Sequence, residues 1–505
     1  MSSKQSRGRK AAINTFASLA EEVTSVICGF ILPRLILSAF GSKYNGLITS
    51  ISQFLGCAVL LRSGIGGATR AALYKPLANK DKDEFNSIVN ATDIFMKKIG
   101  IILMMAIFVF AMIYPLLVEN EFGWLFTFSL FLIIGASTFA ESFFGITYLI
   151  VLQADQRLWV TSVMKIACCI LNTVIGAILI INGFSIHVVK LGSAAIYVLY
   201  PILLGLDVRK YYHIDKKVQP NTKAISQRWD AFWLQVSVFV MNNTDVMVLT
   251  LFSNMMEVSV YSIYNMIVMG LKRTILSFSN GLEAAFGNMI AKKEQKILDE
   301  NVAVIEFIMY SVSTIFYTCA AVLILDFVGI YTKGIIDVNY IRPVFAYTII
   351  LAQFFNAIRI PYQLVVQAAG HYKQTKNGAI IEPIINITIS VLFVLKFGLV
   401  GVAVGTLAAT IFRTIQYSVY MGKNIVPRKI DSVIKRIIVS FLEAAIVIAI
   451  INILPFGEID NYVAWAGKGV ITFSLCAATV LGGGFVFYKN ELAKTLQKLH
   501  LFNRR

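Results

Sequence analysis

Ile99-Gly100-Ile101-Ile102-Leu103-Met104-Met105-Ala106-Ile107-Phe108-Val109-Phe110-Ala111-Met112-Ile113-Tyr114-Pro115-Leu116-Leu117-Val118 runs for twenty residues without a charge. A helix that crosses about 30 Å of hydrocarbon needs roughly 20 such residues. Apolar side chains occupy every face of this run, the pattern of a helix whose surroundings are apolar all round. Working outward, the same filter marks spans at 11–37, 44–72, 99–118, 124–151, 160–181, 186–206, 229–252, 258–290, 302–325, 342–367, 377–396, 399–421, 435–454 and 464–487. Composition agrees: 57% of the 505 residues are hydrophobic and 14% charged, where soluble domains carry about 25% charge. The expectation is an all-α membrane protein of about 14 transmembrane helices.

Lys and Arg set the orientation. With the N-terminus inside, the cytoplasmic segments 1–10, 73–98, 152–159, 207–228, 291–301, 368–376, 422–436 and 488–505 hold 31 basic residues. The opposite side holds 6: Arg34, Lys43, Lys190, Lys333, Arg342 and Lys468. Both termini are therefore expected in the cytoplasm and the number of spans is even. The net charge of +17 reads as basic loops facing anionic lipids at the cytoplasmic face, with no nucleic-acid partner. The apolar run after residues 1–10 lacks a small-residue cleavage site and reads as a retained first span.

Cys28, Cys57, Cys168, Cys169, Cys319 and Cys476 all fall in apolar runs and read as core residues without a disulfide framework. The four histidines are scattered, and no metal-ligand cluster, Walker loop, GxGxxG or HExxH is present. No cofactor, no metal and no enzymatic activity are expected, nor ATP-driven transport by this chain alone.

A repeat sits at an offset of about 214 residues. Val151-Leu152-Gln153-Ala154 matches Val365-Val366-Gln367-Ala368, and Asn172 matches Asn386. Gly192-Ser193 matches Gly405-Thr406 one residue closer, and Ser63-Gly64 loosely matches Asn280-Gly281. The spacing predicts that spans 1–6 are duplicated as spans 7–12. Six is even, so the copies keep one orientation, a parallel repeat with a substrate path between halves. The expected organisation is an N-terminal lobe (1–206), a cytoplasmic linker (207–228), a C-terminal lobe (229–421), then spans 13 and 14 with a basic tail (422–505). The linker, with Asp207, Arg209, Lys210, Asp215, Lys216, Lys217 and Pro220, reads as a solvated basic segment.

Phe30-Ile31-Leu32-Pro33-Arg34-Leu35-Ile36-Leu37 and Tyr44-Asn45-Gly46-Leu47-Ile48-Thr49-Ser50-Ile51-Ser52-Gln53-Phe54 resemble the opening of bacterial Wzx-type polysaccharide flippases. So do Gly64-Ile65-Gly66-Gly67-Ala68, Ala71-Ala72-Leu73-Tyr74-Lys75-Pro76-Leu77 and Asn242-Asn243-Thr244-Asp245. The resemblance extends over the whole chain by span number, order and duplication. It implies membership in the multidrug, oligosaccharidyl-lipid and polysaccharide exporter superfamily. That family implies two six-helix lobes around a central cavity that opens alternately to each side, plus two C-terminal helices here. Its polysaccharide branch moves polyprenyl-pyrophosphate-linked oligosaccharide between leaflets, in company with a polymerase and glycosyltransferases.

Charged residues at bilayer depth cost between about 3 and more than 10 kcal/mol unless they face a cavity or a partner. Eight basic residues (Arg62, Arg70, Lys165, Lys272, Arg273, Arg359, Lys396, Arg413) and nine acidic ones (Glu21, Glu22, Glu141, Asp230, Asp245, Glu283, Glu306, Glu382, Glu443) lie within spans. Arg62 and Arg70, eight apart, share a face of span 2, which has no acid. Arg70 is near enough to the cytoplasmic end to snorkel, and Arg62 fits either an inter-helix salt bridge or a ligand. Asn356, Arg359, Gln363 and Gln367 form a polar stripe on span 10, again without an acid. Lys272 and Glu283, eleven apart, share a face of span 8 beside Arg273, as a gate, an intra-lobe tie or a substrate contact. Guanidinium forks bind diphosphate oxygens bidentately and keep their charge, so Arg62, Arg70, Lys272, Arg273, Arg359 and Gln363 are the expected substrate-binding residues. Glu141, Asp245 and Glu283 are expected in ion coupling, to a proton or sodium ion, or in gating. Glu21 and Glu22 are expected at the cavity or its cytoplasmic mouth.

The function expected is flipping of a lipid-linked oligosaccharide across the bacterial cytoplasmic membrane. The alternative is a cation-coupled multidrug exporter of the same fold. A membrane-embedded glycan polymerase would need a large outer loop, and the longest outer segment, 326–341, is short.

Overall fold

Asp81 opens the helix that carries the charge-free run: its carboxylate accepts from the Glu84 amide at 3.0 Å, satisfying one of the orphan donors of a helix N-terminus. The helix runs Lys82–Leu117, 36 residues. At 1.5 Å per residue that is about 54 Å, well beyond the hydrocarbon thickness, so its charged first turns, with the Lys97–Asp93 pair at 2.7 Å, project past the membrane. Deeper in, Ile99, Leu103, Ile107, Ala111 and Tyr114 are buried while Ile101, Met105, Phe108, Met112 and Leu116 are exposed. Both faces are apolar, one for the core and one for lipid.

The computed structural model describes residues 6–59, 65–118, 121–222, 243–279 and 282–502. Among the described residues every regular element is helical. Among the described residues eleven helices are long and apolar enough to cross a membrane, and the chain is a multi-pass membrane protein. They correspond to the expected spans 1, 3 to 6 and 9 to 14. The other three fall outside that set. Span 2 comprises Ser42–Val59 and Ile65–Asn79, and span 8 comprises Met255–Ser277 and Leu282–Ala291. Span 7 is described over Asn243–Phe252, residues 229–242 lying outside the described set.

The repeat is written into the element boundaries. Ser42–Val59 and Met255–Ser277 begin 213 residues apart, as do Lys82–Leu117 and Gln295–Tyr331. Ile146–Ala154 and Ile360–Ala368 correspond at both ends with an offset of 214. Leu158–Ile181 begins 214 residues before Tyr372–Phe397, and Ile186–Tyr212 begins 213 before Leu399–Asn424. Buried Tyr148 and Tyr362, and buried Asn172 and Asn386, occupy equivalent places. By internal packing the chain forms two units, Met1–Leu251 and Phe252–Arg505.

Within the C-terminal unit, Tyr372–Phe397 and Leu399–Asn424 form a hairpin turned by Gly398, whose φ of +54° suits a residue without a Cβ. Small residues let the two backbones meet. Asn386 then donates to the Thr406 hydroxyl at 3.0 Å.

At the start of Ile430–Ile453, Glu306 is buried between Arg428 (2.5 Å) and Arg436 (3.6 Å). Arg436 also reaches Glu491 (3.5 Å) on the amphipathic helix Lys489–Phe502. The acid expected inside span 9 is thus held by two guanidinium groups and helps to moor the basic tail.

The described part of the linker is not a freely solvated tether. Asn90 donates to the carbonyls of Asp215 and Val218, each at 2.9 Å, and Ser87 donates to that of Gln219 at 2.6 Å. Two half-buried hydrogen bonds at about 1 kcal/mol each imply that Asn90→Ala raises local opening of this segment by roughly tenfold or more. Limited trypsinolysis in detergent checks this: cleavage at Lys216 and Lys217 is expected to accelerate, with other sites unchanged.

Candidate functional site

Two polar centres lie inside the units, at equivalent places in the repeat. In the N-terminal unit, Trp124–Ala140 passes into a π-helical turn, Glu141–Gly145, before Ile146–Ala154. The Ile146 amide donates to the Glu141 carbonyl five residues back. Such single π turns commonly mark functional positions in helices. This one places Glu141 on a cavity of about 370 Å³ lined also by Glu21, Ser25, Ser137, Lys165 and Tyr200. Lys165 and Glu21 pair at 3.1 Å, and the buried Tyr200 hydroxyl has no protein partner. With two carboxylates and one ammonium, the cavity has an acidic excess. Of the residues expected to couple an ion, Glu141 is therefore on a cavity, as is Glu21.

In the C-terminal unit the corresponding places carry charge where the N-terminal unit has none. Counting by the repeat, Cys168 becomes Glu382, Tyr200 becomes Arg413 and Gly145 becomes Arg359. Arg359 falls at the break between Pro343–Ile358 and Ile360–Ala368. Pro361 removes a backbone donor there, which interrupts the helix. Its guanidinium donates through Nη1 to Glu382 Oε1 at 2.5 Å and through Nη2 to Asn356 at 3.1 Å. Arg413 Nε meets the other Glu382 oxygen at 3.4 Å. Arg413 is further fixed by the Thr375 carbonyl at 3.2 Å, the Gln416 amide oxygen, and Tyr417, whose hydroxyl accepts at 2.8 Å and whose ring lies under the guanidinium. Glu382 and Arg413 are 7% and 4% exposed. Gly378 makes room for them, because a Cβ there would strike Gln416 and Arg413. Half-buried Lys272, on Met255–Ser277, lies within the field of Arg359 and Glu382. Two guanidinium groups thus share one carboxylate, with a third cation in their field.

Several sequence expectations change here. Arg359 is not open: its partner is an acid from the neighbouring helix, where span 10 itself has none. Lys272 and Glu283 do not share a helix face, because the helix ends at Ser277. Glu283 is exposed on the next helix, against Tyr372. Arg70 donates to Gln153 at 3.2 Å. Arg273 is exposed, Gln363 half-buried, and Asp245 buried at 6%. Arg62 lies outside the described residues. Sequence reasoning gave no site role to Glu382, Arg413 or Lys165. The 214-residue offset was the available signal, since it aligns the first two with cavity-lining residues of the other copy.

No family model and no curated protein matches the sequence. Solved structures do match. The lipid II flippase MurJ, in an inward closed conformation, aligns with a TM-score of 0.72 at 15% identity, over 95% of this chain and 99% of that one. An inward-facing multidrug resistance MATE family transporter of the MOP superfamily aligns at 0.64 and 13% identity, over 79% and 93%. The Vibrio cholerae MATE transporter VcmN aligns at 0.56 and 11%, over 83% and 99%. At these identities the likeness is one of architecture, shared with that flippase and those two MATE transporters.

Proposed function

We propose that the chain is a flippase that moves polyprenyl-pyrophosphate-linked oligosaccharide outward across the bacterial cytoplasmic membrane by alternating access, for cell-surface polysaccharide biosynthesis. One observation carries this reading: in the C-terminal unit Arg359 and Arg413 converge on a single acid, Glu382, with the ammonium of Lys272 in the field of Arg359 and Glu382. A net positive centre at bilayer depth is costly. Offering it to an anion explains why it persists, whereas a cationic drug would be repelled. A diphosphate presents several oxygens to guanidinium forks, and low surrounding polarity strengthens the attraction. An interior-negative potential favours outward movement of an anion by about 2.3 kcal/mol per charge per 100 mV. The sugar crosses through polar surroundings while the prenyl chain stays in lipid. The excess of Lys and Arg in alternate loops supports cytoplasmic termini beside anionic lipid, where glycosyltransferases and a polymerase would supply and consume the cargo. The resemblance to a protein named as a lipid II flippase supports this reading through shared architecture.

A second reading, cation-coupled multidrug export, is favoured by the acidic cavity of the N-terminal unit. In the flippase reading that cavity takes a coupling proton or sodium ion at Glu21 and Glu141.

The test replaces Arg62, Arg273 and Arg359 singly by Ala and by Lys and scores polymer export in a deletion strain at matched membrane levels. Arg359→Ala is expected to reduce export at least tenfold, about 1.4 kcal/mol of lost binding, and Arg359→Lys to retain part of it. Full export in all six variants would remove anion capture from the account.

A further inference from the structure

The two arginines on Glu382 are held very differently. Arg413 is fixed by the Thr375 carbonyl, Gln416 and Tyr417 whether or not Glu382 is present. Arg359 has two side-chain acceptors, Glu382 and Asn356, and its buried Nε has none. A guanidinium offers five N–H donors, so Arg359 is under-used where it stands. It also sits at a helix break followed by Pro361, where the backbone is least constrained by helical hydrogen bonds.

We infer that Glu382 is a built-in counter-anion: it takes the place of an anionic ligand at Arg359 and is displaced from it when a diphosphate binds, while Arg413 retains the released carboxylate. This rests on the reading of the C-terminal centre as a diphosphate site. Glu382 then sets the affinity of that site. A bare cluster of Lys272, Arg359 and Arg413 would hold a diphosphate too tightly to release it. A carboxylate competing for one of the three lowers the hold and returns Arg359 to a neutral pairing after release. Arg359 is the exchangeable partner and Arg413 the fixed one.

The experiment titrates inorganic pyrophosphate into the full-length purified protein and its Glu382→Gln, Arg359→Ala and Arg359→Ala/Glu382→Gln variants by calorimetry. The amide keeps the shape of Glu382 and removes its charge. Glu382→Gln is expected to tighten pyrophosphate binding at least tenfold, and the added Arg359→Ala to abolish the gain. Should Glu382→Gln not fold, Glu382→Asp carries the same test: one methylene shorter, it holds Arg359 less well and is expected to tighten binding severalfold. Unchanged affinity in the Glu382 variants, with binding lost in Arg359→Ala, overturns the counter-anion while leaving the diphosphate site intact. Weaker binding in the Glu382 variants means that Glu382 positions Arg359 and also overturns it. Absence of binding in every protein overturns the diphosphate site itself, and the counter-anion with it.

Discussion

Replacing Arg413 by alanine is expected to cost about 3–5 kcal/mol, because breaking a buried ion pair leaves a charge without full compensation. The arginine is 4% exposed and its carboxylate partner 7%. Its removal also strips an acceptor's partner at the Thr375 carbonyl and a cation from the Tyr417 ring. Against a total folding stability of about 5–15 kcal/mol, that is enough to deplete folded protein severely. Thermal unfolding in detergent and folded yield from membranes measure it. Adding Glu382→Gln takes the carboxylate away from Arg359 as well, so the double variant is expected to be no more stable than Arg413→Ala alone. Coupling energies for residues in one network run to about 3 kcal/mol. Wild-type stability in Arg413→Ala would show that the centre is not a tightly coupled network.

Gly405→Leu is expected to be comparably damaging for a steric reason. A Cβ at Gly405 would lie 2.8 Å from the Asn386 carbonyl oxygen and 2.8 Å from the Ser390 nitrogen. Both are backbone atoms of the facing helix and cannot swing aside. The two helices must separate, losing the Asn386–Thr406 hydrogen bond and the close packing that holds membrane helices together. Overpacking typically costs about 1–3 kcal/mol, occasionally more, and backbone obstruction belongs at the upper end. Gly482→Leu is the control: nothing lies within 4 Å of a Cβ there. Melting temperatures of the two variants are expected to differ by several degrees. Equal values would mean that the hairpin tolerates separation.

The spans were legible because length and apolar content are read residue by residue, and the 99–118 run needs no tertiary information. Breaks inside spans were less so. Span 8 reads as one apolar stretch from 258 to 290, yet the helix ends at Ser277. A hydropathy window of about twenty residues averages over a turn as short as Phe278-Ser279. The linker's charges signal solvent, and Asp215, Lys216 and Lys217 are exposed; the sequence does not show that Asn86, Ser87 and Asn90, more than a hundred residues earlier, hold its backbone. For the site, sequence gave the charges without their partners. Arg359 and Glu382 are 23 residues apart on different helices, so neither looked paired within its own span. The duplication carried the missing information, since it places Glu382 and Arg413 where Cys168 and Tyr200 line a cavity.

The most direct measurement reconstitutes the purified chain in liposomes and follows a short-chain polyprenyl-pyrophosphate oligosaccharide alongside a cationic dye. The account expects the lipid-linked sugar to cross, the Lys272→Ala/Arg359→Ala variant to lose that movement, and the dye to stay put. Dye transport that needs Glu21 or Glu141 and ignores Arg359, with the sugar lipid immobile, would contradict it.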